Sequence, residues 1–267
     1  MGTKVIFTAT LLTLVFACAN PADQKADEKS SAAEFQDSTK LAASKDLVES
    51  IEIAHGEKLF RKNEAIQFDL NLTFGGKERF NGTLFTRTDG SEVKMVDSAG
   101  VKYWDGSKVR LIPSDTNMKK ARFDLLTWSY FFLAPYKLND PGTNHAYLGD
   151  MPLGEASFPA NKLTFSDGVG DTPDDWYIVY KDNNSDLLAA MAYIVTSGDT
   201  KVEEAEKDPH VITYEAYVEV SGVPFATQWN FWTWNKAGEM KKLLGSATLS
   251  NIKFEKKAGD TFNLAAL

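Results

Sequence analysis

The chain has 267 residues, with 29 Lys and Arg against 37 Asp and Glu, which gives a formal net charge of −8 at pH 7. This acidic balance excludes a general nucleic-acid binder, because no surplus of basic side chains is present to neutralise phosphates. With 43% hydrophobic and 12% aromatic residues, the chain has enough apolar side chains for the core of one large domain.

The first 17 residues have the composition of a cleaved export signal. Lys4 supplies a positive charge, residues 5–16 form a short apolar run, and Ala17 is the small residue before the cleavage point. The apolar run is too short to cross a hydrocarbon core of about 30 Å as a helix. We therefore predict export with removal of residues 1–17; an uncleaved membrane anchor is the alternative interpretation.

Cys18 is the single cysteine of the chain, so it cannot form an internal disulfide. The string VFAC that ends at Cys18 resembles the bacterial lipobox, in which the cysteine is acylated and becomes the new N-terminus. The resemblance implies attachment to a membrane of the cell envelope through lipid on Cys18, since two or more acyl chains give stable anchoring. Ala19 does not resemble the inner-membrane retention signal, which favours the outer membrane, on its periplasmic or surface face. A lone cysteine placed here by chance is the alternative.

Residues 18–45 are rich in Ala, Ser, Asp, Glu and Lys and nearly lack large apolar side chains. Such a segment buries too little surface to offset the entropy lost on ordering, so we predict a flexible tether. Residues 46–267 then form a single β-rich domain. Helical spacing of apolar residues predicts that this domain starts with a helix at Asp46, capped by Ser44 and stopped by Gly56.

Strands follow along most of the remaining chain, as short apolar runs bounded by turn residues. In the clearest run, Ala65–Phe74, apolar and polar residues alternate without exception from Ile66 onward. The other predicted strands span residues 80–87, 92–96, 101–104, 108–112, 161–165, 176–181, 190–196, 210–220, 224–234 and 248–254. So many strands with tight turns indicate one large antiparallel sheet, and a sheet of this size must curl or close.

Residues 123–134 break the strand pattern, because they are apolar on nearly all sides and stop before Pro135. A helix with this composition is buried, and the concave face of the curled sheet is the place that could cover it. Another strand is the alternative interpretation.

The predicted strand at residues 224–234 is rich in aromatic side chains. Alternation places Phe225, Trp229 and Phe231 on one face, and Trp232 and Trp234 on the other. The first set is expected to fill the core beneath the helix. The second set either packs under a covering helix or loop, or forms a stacking platform for a sugar or an acyl partner.

No motif for catalysis or for a cofactor is found in the sequence: GxSxG, a Walker loop and HExxH are missing. His55, His145 and His210 lie far apart, so we assign them structural or surface roles. His55 precedes Gly56, which suits a helix C-terminus where a protonated imidazole is favoured by the helix dipole. We therefore predict no enzyme, no cofactor and no metal site built on histidines.

The loop SDGVGDTPDDW contains four aspartates that could ligate calcium, which takes six to eight oxygen ligands. These are Asp167, Asp171, Asp174 and Asp175. Their spacing does not match that of an EF-hand loop, and an acidic turn before a strand is common. An ordinary turn is the interpretation that we prefer.

Several stretches of the domain are similar to one group of proteins. These stretches are IEIAHG, IQFDLNLTF, YWDG, FFLAPYKLNDPG and DTPDDWYIVYKD. Together they resemble a group of uncharacterised bacterial envelope lipoproteins that carry a domain of unknown function. This group is related to the LolA and LolB type of lipoprotein-sorting proteins. The resemblance implies a mainly β, α+β fold: a large antiparallel sheet curled into an open half-barrel, with helices covering its concave face. It also implies that acyl chains or other lipophilic molecules bind there. A lipidated Cys18 resembles the LolB arrangement, whereas the long acidic tether departs from both proteins.

We therefore predict a non-enzymatic lipoprotein that binds a hydrophobic small molecule, an acyl chain or a lipoprotein in the half-barrel, driven by removal of apolar surface from water. The candidate ligand-binding residues are Phe68, Leu70, Leu72, Leu126, Trp128, Phe131, Phe132, Trp229 and Phe231. Two rival hypotheses remain. One is a surface module that binds a glycan or a protein through exposed Trp232 and Trp234, and the other is a hydrolase built around His145 or His210.

Overall fold

The computed structural model describes residues 21–114, 117–196 and 200–263, with side chains from residue 37 onward. The predicted signal peptide at 1–17 and Cys18 lie outside the described residues. The chain divides into two compact units, residues 1–39 and residues 40–267. The second unit holds the sheet and all of the sites considered below. Of the helices that are described, none is both long and apolar enough to span a bilayer.

The described residues form four helices, a 3₁₀ turn and twelve strands. The helices are α1 (Pro21–Ala54), α2 (Glu57–Phe60), α3 (Met118–Leu133) and α4 (Val202–Ala205), and the 3₁₀ turn is Ala134–Tyr136. The strands are β1 (Ala65–Phe74), β2 (Lys77–Arg87), β3 (Val93–Asp97), β4 (Gly100–Trp104), β5 (Val109–Ile112), β6 (Thr143–Leu153), β7 (Ala156–Phe165), β8 (Tyr177–Lys181), β9 (Leu188–Tyr193), β10 (His210–Val220), β11 (Val223–Trp234) and β12 (Met240–Glu255).

All twelve strands belong to one sheet in the order β5-β4-β3-β2-β1-β12-β11-β10-β9-β8-β7-β6. Every neighbouring pair is antiparallel. The edge strands β5 and β6 do not pair with each other, so the sheet curls without closing. The segment that contains α3 carries the chain from one edge strand to the other. This architecture confirms the predicted open half-barrel, with helices on its concave face.

Side-chain alternation explains how the sheet acquires its inner face. Phe68, Leu70 and Leu72 of β1 are buried in the main core, while the intervening Asp69 points outward. Its carboxylate accepts hydrogen bonds from the Thr83 hydroxyl at 2.7 Å and from the Asn251 amide at 2.7 Å, which lower its pKa. The main core is completed by apolar residues of α1, α2 and α3.

A second, smaller core lies on the outer face of strands β7 to β11. Trp176, Tyr180 and Trp234 are buried there together with short apolar residues, beneath α4 and the tip of the β6–β7 hairpin. The tip is held in place by the Gly154 amide, which donates to the Gly238 carbonyl at 2.8 Å. Both sheet faces are therefore apolar over this half of the barrel.

The predicted start of the first helix at Asp46 is wrong, since α1 runs from Pro21 to Ala54. The preceding segment is rich in Ala and Lys, which favour helix when little else competes. Ser44 is therefore not an N-cap: its hydroxyl donates to Asn161 Oδ1 at 3.1 Å, and the Asn161 amide donates to the Ser44 carbonyl at 2.9 Å. The role of residues 18–45 as a tether stays a prediction.

Strand β6 was not predicted from the sequence. As an edge strand it has no deeply buried face, apart from Leu153 at its end, so apolar and polar residues do not alternate clearly along its sequence. Gly149, with a φ of 76°, shifts the register against β7, and Pro152 reads as a strand breaker. The pattern that identifies a central strand is therefore missing here.

Candidate functional site

Helix α3 covers the concave face of the sheet, as the sequence predicts for residues 123–134. Asn117 caps its first turn, with the side-chain oxygen accepting from the Lys120 amide at 3.1 Å. Neither Gly nor Pro interrupts the helix from Met118 to Leu133, and Pro135 follows its end. The helix therefore presents a long apolar face to the sheet.

Aromatic rings fill the space between α3 and the sheet. Phe132 stacks on Phe68 of β1, with ring centroids 4.1 Å apart, and lies parallel to Phe225 of β11 at 5.5 Å. Trp128 and Phe131 pack against Phe231 of the same strand at 5.9 Å and 5.8 Å. Such ring pairs add to the free energy of burying their area, so α3 and the sheet form one continuous apolar core.

The structure brings the candidate ligand-binding residues together, with one exception. Phe68, Leu70, Leu72, Trp128, Phe131, Phe132, Trp229 and Phe231 are all buried members of the main core. Leu126 is half-buried on a different side of α3 and is not part of that core. The set therefore lines one interface, between the lid helix and the sheet. Its role in holding a ligand stays a proposal.

The space beneath α3 is almost completely occupied by side chains in this conformation. A cavity of about 20 Å³ remains at one end, where α3 meets β10 and β11. Its lining includes His55, Phe132, Tyr214, Phe225 and Trp229. A volume of this size holds about one water molecule. An acyl chain can bind on the concave face only if side chains or α3 itself move.

One polar group inside the aromatic core lacks a partner. Trp128 is buried, and its Nε1–H has no hydrogen-bond acceptor among the residues that the structure describes. A buried N–H without an acceptor costs about 1–3 kcal/mol. The ring that carries this donor packs against Phe231 on the predicted ligand-binding surface.

His55 is buried at the end of α1 and is held neutral, so the predicted protonated imidazole is wrong. Burial lowers its pKa to about 3, and contact with the backbone of Pro224 opposes the shift only in part. Its Nε2 accepts a hydrogen bond from the Leu188 amide at 3.0 Å, so the proton resides on Nδ1. Desolvation outweighs the helix dipole because the ring has no contact with solvent.

Two charged groups fasten the N-terminal half of α3. Asp124 is buried, and its carboxylate accepts from Arg79 of β2 at 2.8 Å and from Lys120 at 3.3 Å. Arg122 donates two hydrogen bonds to Asp171 and places its guanidinium 4.2 Å from the ring of Trp104. Because Trp104 belongs to β4 and Asp171 follows β7, Arg122 connects α3 to both sides of the open sheet. Sequence reasoning missed this contact, since neither partner is near Arg122 in the chain.

The acidic loop does not gather its carboxylates around one point. Asp171 is engaged by Arg122, whereas Asp175 turns inward and accepts from the amide and the hydroxyl of Thr196, both at 2.7 Å. Burial raises the pKa of Asp175. Over residues 21–114, 117–196 and 200–263, no group of three or more His, Cys, Asp or Glu side chains is placed to hold a metal ion.

The structure shows what surrounds the residues of the two rival hypotheses, Trp232 and Trp234 for surface binding and His145 and His210 for a hydrolase. Trp234 is buried against Trp176 in the outer core, and Trp232 is half-buried beside it, so the second aromatic set packs under a covering segment. His145 Nε2 contacts the Leu138 carbonyl at 2.7 Å, and His210 faces Asp208 at 3.5 Å. Neither histidine has a hydrogen bond to a serine among those found for the described side chains. For Trp234, the hypothesis of an exposed binding platform is wrong, because its ring is buried in the outer core.

Three solved structures resemble the domain. The LolA superfamily protein from Nitrosomonas europaea matches with a TM-score of 0.54 at 10% identity, over 84% of this chain and 99% of that one. A DUF1329 family protein from Desulfovibrio piger matches with a TM-score of 0.45 at 11% identity, over 82% and 98%. A putative outer membrane lipoprotein-sorting protein domain from Vibrio parahaemolyticus has a TM-score of 0.47 at 11% identity, over 81% and 97%.

The match with the Nitrosomonas europaea structure shows that the chain has the LolA fold, as the sequence resemblance implied. No protein-family model and no curated protein sequence matches the chain.

Proposed function

We propose that this chain is a lipid-anchored envelope lipoprotein whose half-barrel binds an apolar ligand: an acyl chain, a lipid or the lipid part of a lipoprotein. The observation that carries the proposal is the concave face, a single apolar surface that runs across both halves of the open sheet and is covered by α3. The LolA fold supports it, since the solved structure with this fold is a LolA superfamily protein, and the sequence resemblance to LolA and LolB implies lipophilic ligands.

Binding on the concave face needs α3 to move away from the sheet, so that a ligand chain enters between them while Trp128 of α3 still faces the ligand. When α3 lifts, Phe68, Phe225 and Phe231 lose their partners on the helix, and a ligand chain covers the same rings. The cost of lifting α3 is offset by ligand burial at about 25 cal/mol per Å² of apolar surface. In the closed state, side chains of the protein occupy the binding surface, so only open molecules can bind the ligand. The apparent affinity is therefore the affinity of the open state multiplied by the fraction of molecules that are open.

The orphan N–H of Trp128 gives the proposed surface a polar contact. Lipids and acylated proteins carry ester, amide or carboxyl oxygens next to their chains, and each can accept one hydrogen bond. A donor buried among apolar residues fixes the orientation of such a ligand, as in many small-molecule sites. The proposed ligand-binding residues remain those of the α3–sheet interface, with Trp128 as their polar member.

The proposal is tested by titrating the full chain with a fluorescent long-chain fatty acid. The Cys18→Ser variant is used so that acyl groups on the protein cannot compete. Saturable binding of one probe per chain, reversed by an unlabelled fatty acid, is the expected result. Absence of saturable binding would reject the proposal.

Replacing Trp128 by Phe separates the polar contact from the apolar surface. The affinity for the fatty-acid probe should fall about fivefold, because one hydrogen bond contributes about 1 kcal/mol. Folding should be unaffected or slightly stabilised, since a buried unpaired donor is removed. Trp232→Phe is the matched control, since its buried N–H also lacks a partner among the described residues but lies on the outer face. Equal losses in both variants would contradict the role of Trp128.

Membrane attachment depends on Cys18 in this proposal. Cells grown with radiolabelled palmitate should label the wild-type chain, and the Cys18→Ser variant should carry no label. The wild type should also sediment with membranes, whereas the unlabelled variant lacks the acyl chains that give stable anchoring. Labelling of the serine variant would show that another site carries the lipid.

A further inference from the structure

The sheet is split between β9 and β10. These strands pair only from Ala190 to Tyr193 of β9, against His210–Thr213 of β10. Beyond Thr213, β10 continues to Val220 along β11 alone. Ala216 adopts a φ of 52° in this unpaired stretch and leaves the ladder with β11 for one residue. A gap therefore opens between the start of β9 and the second half of β10.

At this gap, side chains supply the hydrogen bonds that backbone pairing between β9 and β10 would otherwise provide. The Leu188 amide donates to Nε2 of His55 at 3.0 Å, and the Leu188 carbonyl accepts from the Tyr217 hydroxyl at 2.7 Å. Both groups of Leu188 would pair with the backbone of β10 in a continuous sheet, and both are satisfied by side chains instead. An added peptide strand would find these groups already paired, so the gap is not an edge for strand addition.

A groove with a cavity volume of about 600 Å³ lies at this gap, on the outer side of the sheet. Its lining is mostly apolar and includes Leu153, Phe158, Leu187 and Met240. The volume lies in the range of small-molecule sites, about 300–1,000 Å³. Unlike the space beneath α3, the groove is open in this conformation.

The rim of the groove carries negative charge only. Glu155, Asp182 and Glu215 contribute carboxylates, and no Lys or Arg is among its lining residues. Hydrogen bonds from Ser185 lower the pKa of Asp182, so it is ionised at neutral pH. Glu215 is held in place by the Thr213 hydroxyl at 2.7 Å and the Asn230 amide at 3.0 Å.

We propose that this groove binds an amphiphile that has one alkyl chain and a positively charged ammonium head group. The alkyl chain lies on the apolar lining, and the ammonium meets the carboxylates at the rim. Tyr214 and Tyr217 line both the groove and the small cavity beneath α3, so the inner end of the chain points toward the interior. The site goes beyond the proposed function, since it needs no movement of α3.

The test compares two probes of equal chain length and opposite charge, dodecylammonium and dodecanoate, by calorimetric titration of the full chain with Cys18→Ser. At the groove, taken as the binding that Ala156→Phe removes, dodecylammonium should bind about tenfold more tightly than dodecanoate, as expected when surface ion pairs contribute up to about 1 kcal/mol each. The double variant Glu155→Gln with Glu215→Gln should lose that preference. The control Glu49→Gln with Glu203→Gln makes the same change of net charge at exposed positions elsewhere and should keep it.

A second pair of variants locates the probe. Ala156 is exposed at the groove, so the ring of Ala156→Phe should project into it and block dodecylammonium binding, whereas Ala99→Phe in the exposed β3–β4 turn should not. Binding that survives Ala156→Phe, or a preference that survives loss of Glu155 and Glu215, would overturn the proposal. Weaker fatty-acid binding in Trp128→Phe with unchanged dodecylammonium binding would distinguish the two sites, and failure of the concave site alone leaves these groove results standing.

Discussion

The Phe132→Ala variant is expected to unfold with a free energy about 3–5 kcal/mol lower than that of the wild type, the usual cost of deleting a buried aromatic ring. Phe132 lies between Phe68 and Phe225, with parallel or nearly parallel rings on either side. Removing it leaves a cavity between the helix and the centre of the sheet, where neighbours on three elements would have to move together to fill the space. Urea unfolding followed by tryptophan fluorescence measures the loss.

Leu126→Ala is the matched control for this variant. It shortens an apolar side chain to the same residue on the same helix, so helix propensity changes little. Since Leu126 is half-buried and outside the main core, its loss should be well below that of Phe132. Similar losses in the two variants would mean that the stacked rings are not the main attachment of α3.

Acid is expected to destabilise the folded domain through His55. The folded state keeps this imidazole neutral down to about pH 3, whereas an unfolded chain takes up the proton near its ordinary pKa of 6.5. Between these two values the unfolded state binds more protons, so the free energy of unfolding falls as the pH falls. By pH 4.5 the loss should be about 2–3 kcal/mol, at 1.36 kcal/mol per pH unit below 6.5.

The measurement is the free energy of unfolding of the wild type and of His55→Gln between pH 7 and pH 4. Glutamine can accept the Leu188 amide but does not titrate, so the variant should lose less stability on acidification, and the two curves should converge as the pH falls. Tyr217→Phe removes the other hydrogen bond to Leu188 and should give a curve parallel to the wild type. Parallel curves for His55→Gln and the wild type would contradict the account.

Local patterns were sufficient to predict most of the sheet and its lid. The alternation of apolar and polar residues in Ala65–Phe74 specifies a half-buried strand, because successive side chains of a strand point to opposite faces of the sheet. The lid helix was recognisable because its residues are apolar on nearly all sides and Pro135 follows. The aromatic strand β11 placed Trp229 and Phe231 on the inner face for the same reason as β1.

Features that depend on contacts between distant segments could not be predicted. Trp234 is buried because the β6–β7 hairpin and α4 cover the outer face, and nothing near Trp234 in sequence indicates that cover. The neutral state of His55 depends on its burial among distant segments, and the attachment of Arg122 depends on Asp171. The gap between β9 and β10 arises because β10 loses one of its two pairing partners beyond Thr213, which leaves no trace in the alternation of either strand.

Hydrogen–deuterium exchange of α3 with and without a bound fatty acid tests the central claim, that an apolar ligand displaces the lid helix from the sheet and enters between them. The account predicts that saturating fatty acid accelerates exchange in residues 118–133, while amides of β1 and β11 become no less protected. Saturable binding with unchanged exchange in α3 would place the ligand elsewhere and contradict the claim.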